Sequence, residues 1–394
     1  MSGGSLTGVG EVIVSDLFVW EAGTIEDEKG AKIKVEKDFQ LSTAGTKVLK
    51  RQLIMNGNAT WVSTGMDISI DGRLTISEAA SLRVIGHDFT LDATSYGRGI
   101  LDNYGVFDVE MPFGAFHVDV EFNNYGSFVI TSGDVKLTEK SDIRGILKFR
   151  DFSSTIHVMD GKHTIRPHSS SEDRLGKLKV ENGFAEAIDC DWQEVMVAGN
   201  ADVNMKYVSF TKPVIKSLSM EDGKTTVTSL SGSKIRLKNI VNDGGNIVLV
   251  NPVIATNVTM RGGVLETQNK MEIVGQFNWM AGTLRGGHLG QAQIVSNNEL
   301  ILIGSRDKIL EDETFVVASA GSWKCAGDIL MKRSTFVVRP TSNLLITGAG
   351  SIEDSEGTNV VWIKGSMELT SHTSLTLNTR FINDGIVTVS DGVY

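Results

Sequence analysis

Proline is scarce in this chain, with five residues in 394. Each proline removes a backbone donor, so its scarcity leaves almost every N–H free to enter a sheet ladder. Cysteine is scarcer still. Cys190 and Cys325 stand alone and far apart in sequence, which excludes a small fold stapled by disulfides. No apolar run reaches the length of a membrane-spanning helix. Helical signals are missing too: no long window carries an i, i+3, i+4, i+7 apolar stripe between a cap and a closing glycine. Positive charge is in deficit. Lys and Arg total 38 against 48 Asp and Glu, the formal net charge is −10 and the pI is about 5.3. Such a chain is a poor general partner for nucleic acid or for an anionic membrane. The first residues, Met1-Ser2-Gly3-Gly4-Ser5, do not form a signal peptide. Gly-x-Ser-x-Gly, a P-loop, His-Glu-x-x-His and an EF-hand loop are all absent from the sequence, so the common catalytic and metal motifs are excluded.

What is present is repetition. Phe18-Val19-Trp20-Glu21-Ala22-Gly23-Thr24-Ile25 reappears as Phe277-Asn278-Trp279-Met280-Ala281-Gly282-Thr283-Leu284, and Phe122-Asn123-Asn124-Tyr125-Gly126 as Phe381-Ile382-Asn383-Asp384-Gly385. Both pairs are 259 residues apart. Trp61, Trp192 and Trp323 are spaced by 131, which adds a fainter middle copy. The reading is one continuous solenoid over 1–394 with internal units of approximately 1–135, 136–259 and 260–394. A shorter beat runs inside each unit. Asn103-Tyr104-Gly105 and Asn124-Tyr125-Gly126 are 21 residues apart. Runs such as Gly72-Arg73-Leu74-Thr75-Ile76, Gly176-Lys177-Leu178-Lys179-Val180, Asn246-Ile247-Val248-Leu249-Val250 and Gly385-Ile386-Val387-Thr388-Val389 alternate with period two between turn residues.

A beat in the low twenties fits one coil of a right-handed parallel β-helix, an all-β, single-stranded β-solenoid of roughly 17 coils and on the order of 80 Å. Its aliphatic core is expected to include Leu74, Ile76, Leu178, Val180, Ile247, Leu249, Ile386 or Val387, and Val389. The 42 glycines suit tight turns at positive φ. Gly4 to Trp20 aligns with Gly263 to Trp279, and the chain stops in mid-pattern at Val387 to Gly392. Both ends are therefore expected to expose unpaired strand edges and to fray or associate end to end.

Candidate sites are few. In Ile188-Asp189-Cys190-Asp191-Trp192, a strand would turn Asp189 and Asp191 outward together, as a Ca²⁺ site or an acid/base pair; the alternative is a solvated outer face over a buried Trp192. His157, Lys162, His163, Arg166 and His168 are the one local concentration of basic and imidazole groups. Lys162, His163, Arg166 and His168 are candidates for holding an acidic glycan or sulfate. If the chain is an enzyme, His163 and Arg166 would work with Asp189 and Asp191 on a uronate; the alternative is a polar loop. The tryptophans 20, 61, 192, 279 and 323 could form a sugar-stacking ladder or fill the core, and Trp362 departs from their phase. Asn58 and Asn257 head glycosylation sequons, a pointer to secretion.

With Trp20-Glu21-Ala22-Gly23, Trp279-Met280-Ala281-Gly282 and the Asn-x-Gly turns near 103, 124, 242 and 383, the chain resembles the filamentous-haemagglutinin and adhesin type of β-helix. The resemblance implies a non-enzymatic structural or adhesive segment of a larger extracellular or cell-surface protein. Such a segment acts as a rigid rod or as a surface for polysaccharide or another surface protein, without nucleic acid, membrane insertion or a required cofactor. The rival is a β-helix lyase or glycoside hydrolase acting on acidic polysaccharide, or a phage-tailspike relative. Trp362-Ile363-Lys364-Gly365 lacks the Asp-His that follows Trp-Ile in the lyases, and the chain has no Asp-Asp. Both absences favour the non-enzyme.

Overall fold

A computed structural model describes the chain except for residues 27–29, 42–44, 64–67, 94–97, 169–174, 191, 208–213, 230–231, 288–292, 325–326, 371–372 and 391–394. The described residues form 48 strands and no helix. All strand pairs are parallel, and they stack as a β-solenoid of about 16 turns, close to the coil number read from the 21-residue beat. Two compact units divide the chain, Met1–Gln193 and Glu194–Tyr394.

In the first unit each coil contributes to three ladders. One runs through Val12–Val14, Lys32–Val35, Gln52–Met55, Arg73–Ile76, Ile100–Asn103, Glu121–Asn124, Ser141–Ile143, Lys162–Ile165 and Phe184–Ile188. A second begins at Leu17–Trp20 and a third at Ser2–Leu6. The strand Val106–Asp119 belongs to both of these. Its first half pairs with Ser81–Gly86 and its second half with Phe89–Asp92, and Ser127–Leu137 follows it in both. The second unit repeats the plan. Ile235–Asn242 and Val253–Met260 are long, and the next coil divides into Lys270–Ile273 and Gln276–Trp279.

Alternation decides which side chains point inward. Leu74, Ile76, Leu178, Val180, Ile247 and Leu249 are all buried, as their runs predict. The last run differs. Val387 and Val389 are in register with buried Met367 and Leu369, yet Val389 is 52% and Ile386 65% exposed. Ile386 pairs with half-buried Ser366 and so lies on the outward side of the alternation, while Val387 and Val389 point inward but have a described neighbouring coil on one side only.

Trp20, Trp61, Trp192, Trp279 and Trp323 are all buried, so they fill the core and offer no stacking ladder to a sugar. Trp20 and Trp279 each end a strand just before a glycine at positive φ, 104° at Gly23 and 93° at Gly282. The duplicated sequence thus builds the same local turn twice. Trp362 lies on the other side of the alternation. It is half-buried, donates its indole N–H to Asp384 Oδ2 at 2.8 Å and carries Lys364 Nζ over its ring.

The asparagine turns hold coils together. Asn103 donates to Asn124 Oδ1 at 2.6 Å on the next coil. Asn242 bonds Gly245 O of its own turn and Val264 O of the next coil. Gly105, Gly126 and Gly145 follow at the same corner of three successive coils, and none has positive φ. Their requirement is space: a Cβ on Gly126 would stand 2.2 Å from Gly105 O, and one on Gly145 1.9 Å from Gly126 O. Gly126→Ala is therefore expected to force two coils apart at this corner and to cost about 1–3 kcal/mol. Denaturant unfolding of the variant checks this, and an unchanged midpoint would show that the corner yields freely.

The second unit also contains a buried carboxyl group. Glu313 accepts Thr267 Oγ1–H at 2.9 Å, Ile294 N–H at 3.1 Å and Thr314 N–H at 3.0 Å. Its own N–H donates to Ser334 Oγ, and Ser334 N–H donates to Asn359 Oδ1. Burial pushes the Glu313 carboxyl up to about 8, against the three donors.

Candidate functional site

The strand register brings together residues that lie one coil apart in sequence. Asn103, Asn124, Ile143 and Ile165 are successive partners in one ladder. The residues that follow them are Tyr104, Tyr125, Arg144 and Arg166, which therefore occupy one corner on four successive coils. Their N–H groups bond Ile76 O, Asn103 O, Asn124 O and Ile143 O in turn. The coils rise by about 4.8 Å each, so four side chains are presented in file.

Tyr104 and Tyr125 stack at 5.1 Å with an interplanar angle of 20°, and each is more than 40% exposed. The glycine column beside them lets the coils approach closely enough for this contact. Arg144 grips Asp142 through Nε at 2.9 Å and Nη2 at 2.8 Å, a two-pronged pair that holds the guanidinium plane in place. Asp102 points away from the core yet is 3% exposed. It is met by Arg73 Nε at 2.5 Å and Asn123 Nδ2 at 3.0 Å. Asp102, Asn123 and Asp142 are register partners through this ladder and form a row of planar polar groups beside the corner. Burial, with Asp142, Tyr104 and Asp102 nearby, raises the Tyr125 phenol, so it remains a neutral donor at physiological pH.

The local basic concentration read from sequence is dispersed by the fold. Arg166 and His168 are exposed at this corner, and His168 N–H bonds Gly145 O. Lys162 is exposed at the opposite end of the same strand, 5.9 Å from the Phe184 ring centroid. His163 lies between them and points inward with no exposed surface. Its Nδ1 is 2.8 Å from Ser141 Oγ, and its Nε2 meets Asp160 O. Burial holds this imidazole below its usual range. Enclosed, with both nitrogens engaged, it cannot contact a polymeric ligand or take a proton from one. Its assignment as a glycan ligand or general base is corrected: alternation along Lys162–Ile165 sends position 163 to the core. The segment 169–174, read as a protruding loop, lies outside the described residues.

The Asp189 half of the acidic pair is corrected as well. The strand Phe184–Ile188 stops short of Asp189, which turns through φ 53° and is buried. Ala185 and Ala187 point inward along that strand, and Asp189 falls on their side of the alternation, not on an outward face. Asp191 lies outside the described residues. Cys190 is buried, and Cys325 lies outside them too. No cluster of three potential metal ligands occurs among the described residues. The sequon residues Asn58 and Asn257 are both exposed on strands. Asn58 accepts Ser81 Oγ–H, and Asn257 bonds Asn239 and Gln276 N–H.

Sequence reading missed Tyr104, Tyr125 and Arg144 as one surface file because they were absorbed into turn motifs. The signal was there: the residue after each Asn or its equivalent recurs at the coil beat, aromatic twice and then cationic twice. Comparison with protein-family models, with curated proteins and with solved structures returns no match.

Proposed function

We propose that this chain is a non-enzymatic solenoid segment of an extracellular or surface protein, and that the corner of Tyr104, Tyr125, Arg144 and Arg166 binds an acidic polysaccharide. The observation that carries the reading is the file of two half-exposed stacked tyrosines and two arginines at one coil spacing. Tyrosine offers an apolar ring with a polar tip at little entropic cost. Arginine takes a carboxylate through two parallel bonds. A linear uronate polymer presents both sugar faces and carboxylates along its length, the first suited to the paired tyrosines and the second to the paired arginines. A surface built from repeated turns, with the His163 imidazole sealed in the core, favours holding a polymer over cleaving it.

The test is calorimetric titration with polygalacturonate and alginate oligosaccharides against neutral dextran. Uronate binding is expected, with no binding to dextran. Arg166→Ala should weaken it about tenfold or more, as for a lost charge-assisted bond. Tyr125→Ala should weaken it about two- to tenfold. Unchanged affinity in both variants would sink the assignment. Unsaturated products or new reducing ends during the titration would favour the lyase or hydrolase reading instead.

A further inference from the structure

A second column stands on another ladder of the first unit. His117 pairs with Lys136, Lys136 with His157, and His157 with Lys179. Each is the outward, half-buried residue of its strand, between buried neighbours: Phe116 and Val118, Val135 and Leu137, Ile156 and Val158, Leu178 and Val180. An imidazole and an ammonium therefore alternate over four consecutive coils of an acidic protein. The flanking charges come from the same strands and their ends: Asp119, Asp134, Lys177 and Glu181. Asp119 accepts Thr138 Oγ1–H, and Asp134 Oδ1 accepts Thr155 N–H. Glu181 Oε1 takes Lys179 Nζ at 2.5 Å and lies 3.4 Å from His157 Nε2. Asp119 and Asp134 are thus engaged by neighbouring donors, while Glu181 bridges Lys179 and His157 at one end of the column.

We propose that His117, Lys136, His157 and Lys179 form a proton-gated strip for a linear sulfated polymer laid along the stacked coils. Sulfate esters keep their charge at every physiological pH, so the gate is the protein's own. With the His157 imidazole neutral, the two lysines face the three carboxylates and Lys177, and the strip has little net attraction. Protonation of that imidazole adds a positive charge without moving any backbone. Burial and the neighbouring Lys179 hold the His157 imidazole below its usual range. A bound polyanion reverses the second of those influences, so binding and proton uptake are reciprocally linked.

The probe is a short dextran sulfate, with polygalacturonate as the carboxylate control. Its affinity should be about tenfold higher at pH 5.5 than at pH 7.5. That ratio corresponds to a rise of about one pH unit in the His157 midpoint, followed by NMR of the imidazole protons, when the probe is bound. Lys136→Ala should weaken binding severalfold and Lys136→Arg should restore it. His157→Asn should remove most of the pH dependence while leaving the weak binding at pH 7.5. Lys136→Ala should leave uronate binding at the corner unchanged, which separates this strip from the uronate corner. Equal affinity at the two pH values would overturn the proposal. So would indifference of sulfate binding to Lys136→Ala, or loss of uronate binding in that variant.

Discussion

Raising the pH from 5 to 8.5 is expected to remove about 3–4 kcal/mol of stability from the second unit, through one residue. The Glu313 carboxyl is raised in the fold from 4.5 to about 8. The folded state therefore holds this proton more tightly than the unfolded chain does. The resulting stability is fully present below 4.5 and is lost as the pH climbs through about 8, at about 1.4 kcal/mol per unit in between. The local bonds explain how both forms are housed. Ionised, the group accepts from Thr267, Ile294 and Thr314. Protonated, it can turn its hydroxyl to Thr267 Oγ1, because a threonine hydroxyl accepts as well as donates. Glu313→Gln keeps that pattern, with the amide oxygen accepting the two backbone N–H groups and the amide nitrogen facing Thr267. Urea midpoints measured across this range should fall with pH in the wild type and stay level in the variant. Parallel curves for the two proteins would show that Glu313 does not titrate in this window.

Trp279→Ala should cost about 3–5 kcal/mol, the range for an aromatic side chain removed from a packed core. Trp279 has no exposed surface, and it packs against Phe277 and Phe315 with ring centroids at 6.1 and 5.9 Å. A solenoid core has only its own coil and two neighbours to close around the vacancy. Trp279→Phe separates packing from polarity. It keeps most of the ring contact and loses the indole bond to Gly282 O at 3.3 Å. At the duplicated position, Trp20 Nε1 is buried without a partner. Trp20→Phe should therefore cost less than Trp279→Phe, since it also removes an unsatisfied donor. Equal costs in thermal or denaturant unfolding would contradict this account of the two indoles.

The coil beat and the core were legible because both depend on local periodicity. Two Asn-Tyr-Gly turns 21 residues apart announce a coil, and alternation at Leu74-Thr75-Ile76 announces which side of the strand is covered. The surface sites were not legible by the same means. Functional groups in a solenoid become neighbours across a whole coil, not along the chain. His157, His163 and Arg166 are close in sequence, but the fold sends them to an outer ladder, the core and a corner. Conversely, Tyr125 and Arg166 are far apart in sequence and share a file. Asp189 shows a further limit. A short run can be read in either phase: taking Ile188 as inward turned Asp189 outward, whereas the strand buries Ala185 and Ala187 and leaves Ile188 half-buried, with Asp189 on the buried side. The glycines were half-read: positive φ explains Gly23 and Gly282, while Gly126 is glycine because a carbonyl of the preceding coil occupies the space a Cβ would need.

The strands that run through two ladders without a break have a consequence for how the molecule opens. Where a coil is assembled from separate short strands, such as Lys270–Ile273 and Gln276–Trp279, each face can shed its hydrogen bonds while its neighbour remains closed. Val106–Asp119 and Ser127–Leu137 allow no such independence, because peeling either half away pulls on residues paired in the other. Local unfolding follows contiguous cooperative blocks, and here a block must include both faces. These coils, which also carry the stacked tyrosines and the first half of the imidazole column, are thereby welded into the first unit's largest cooperative element. Fluctuations that loosen single strands elsewhere reach this surface only as an all-or-none event.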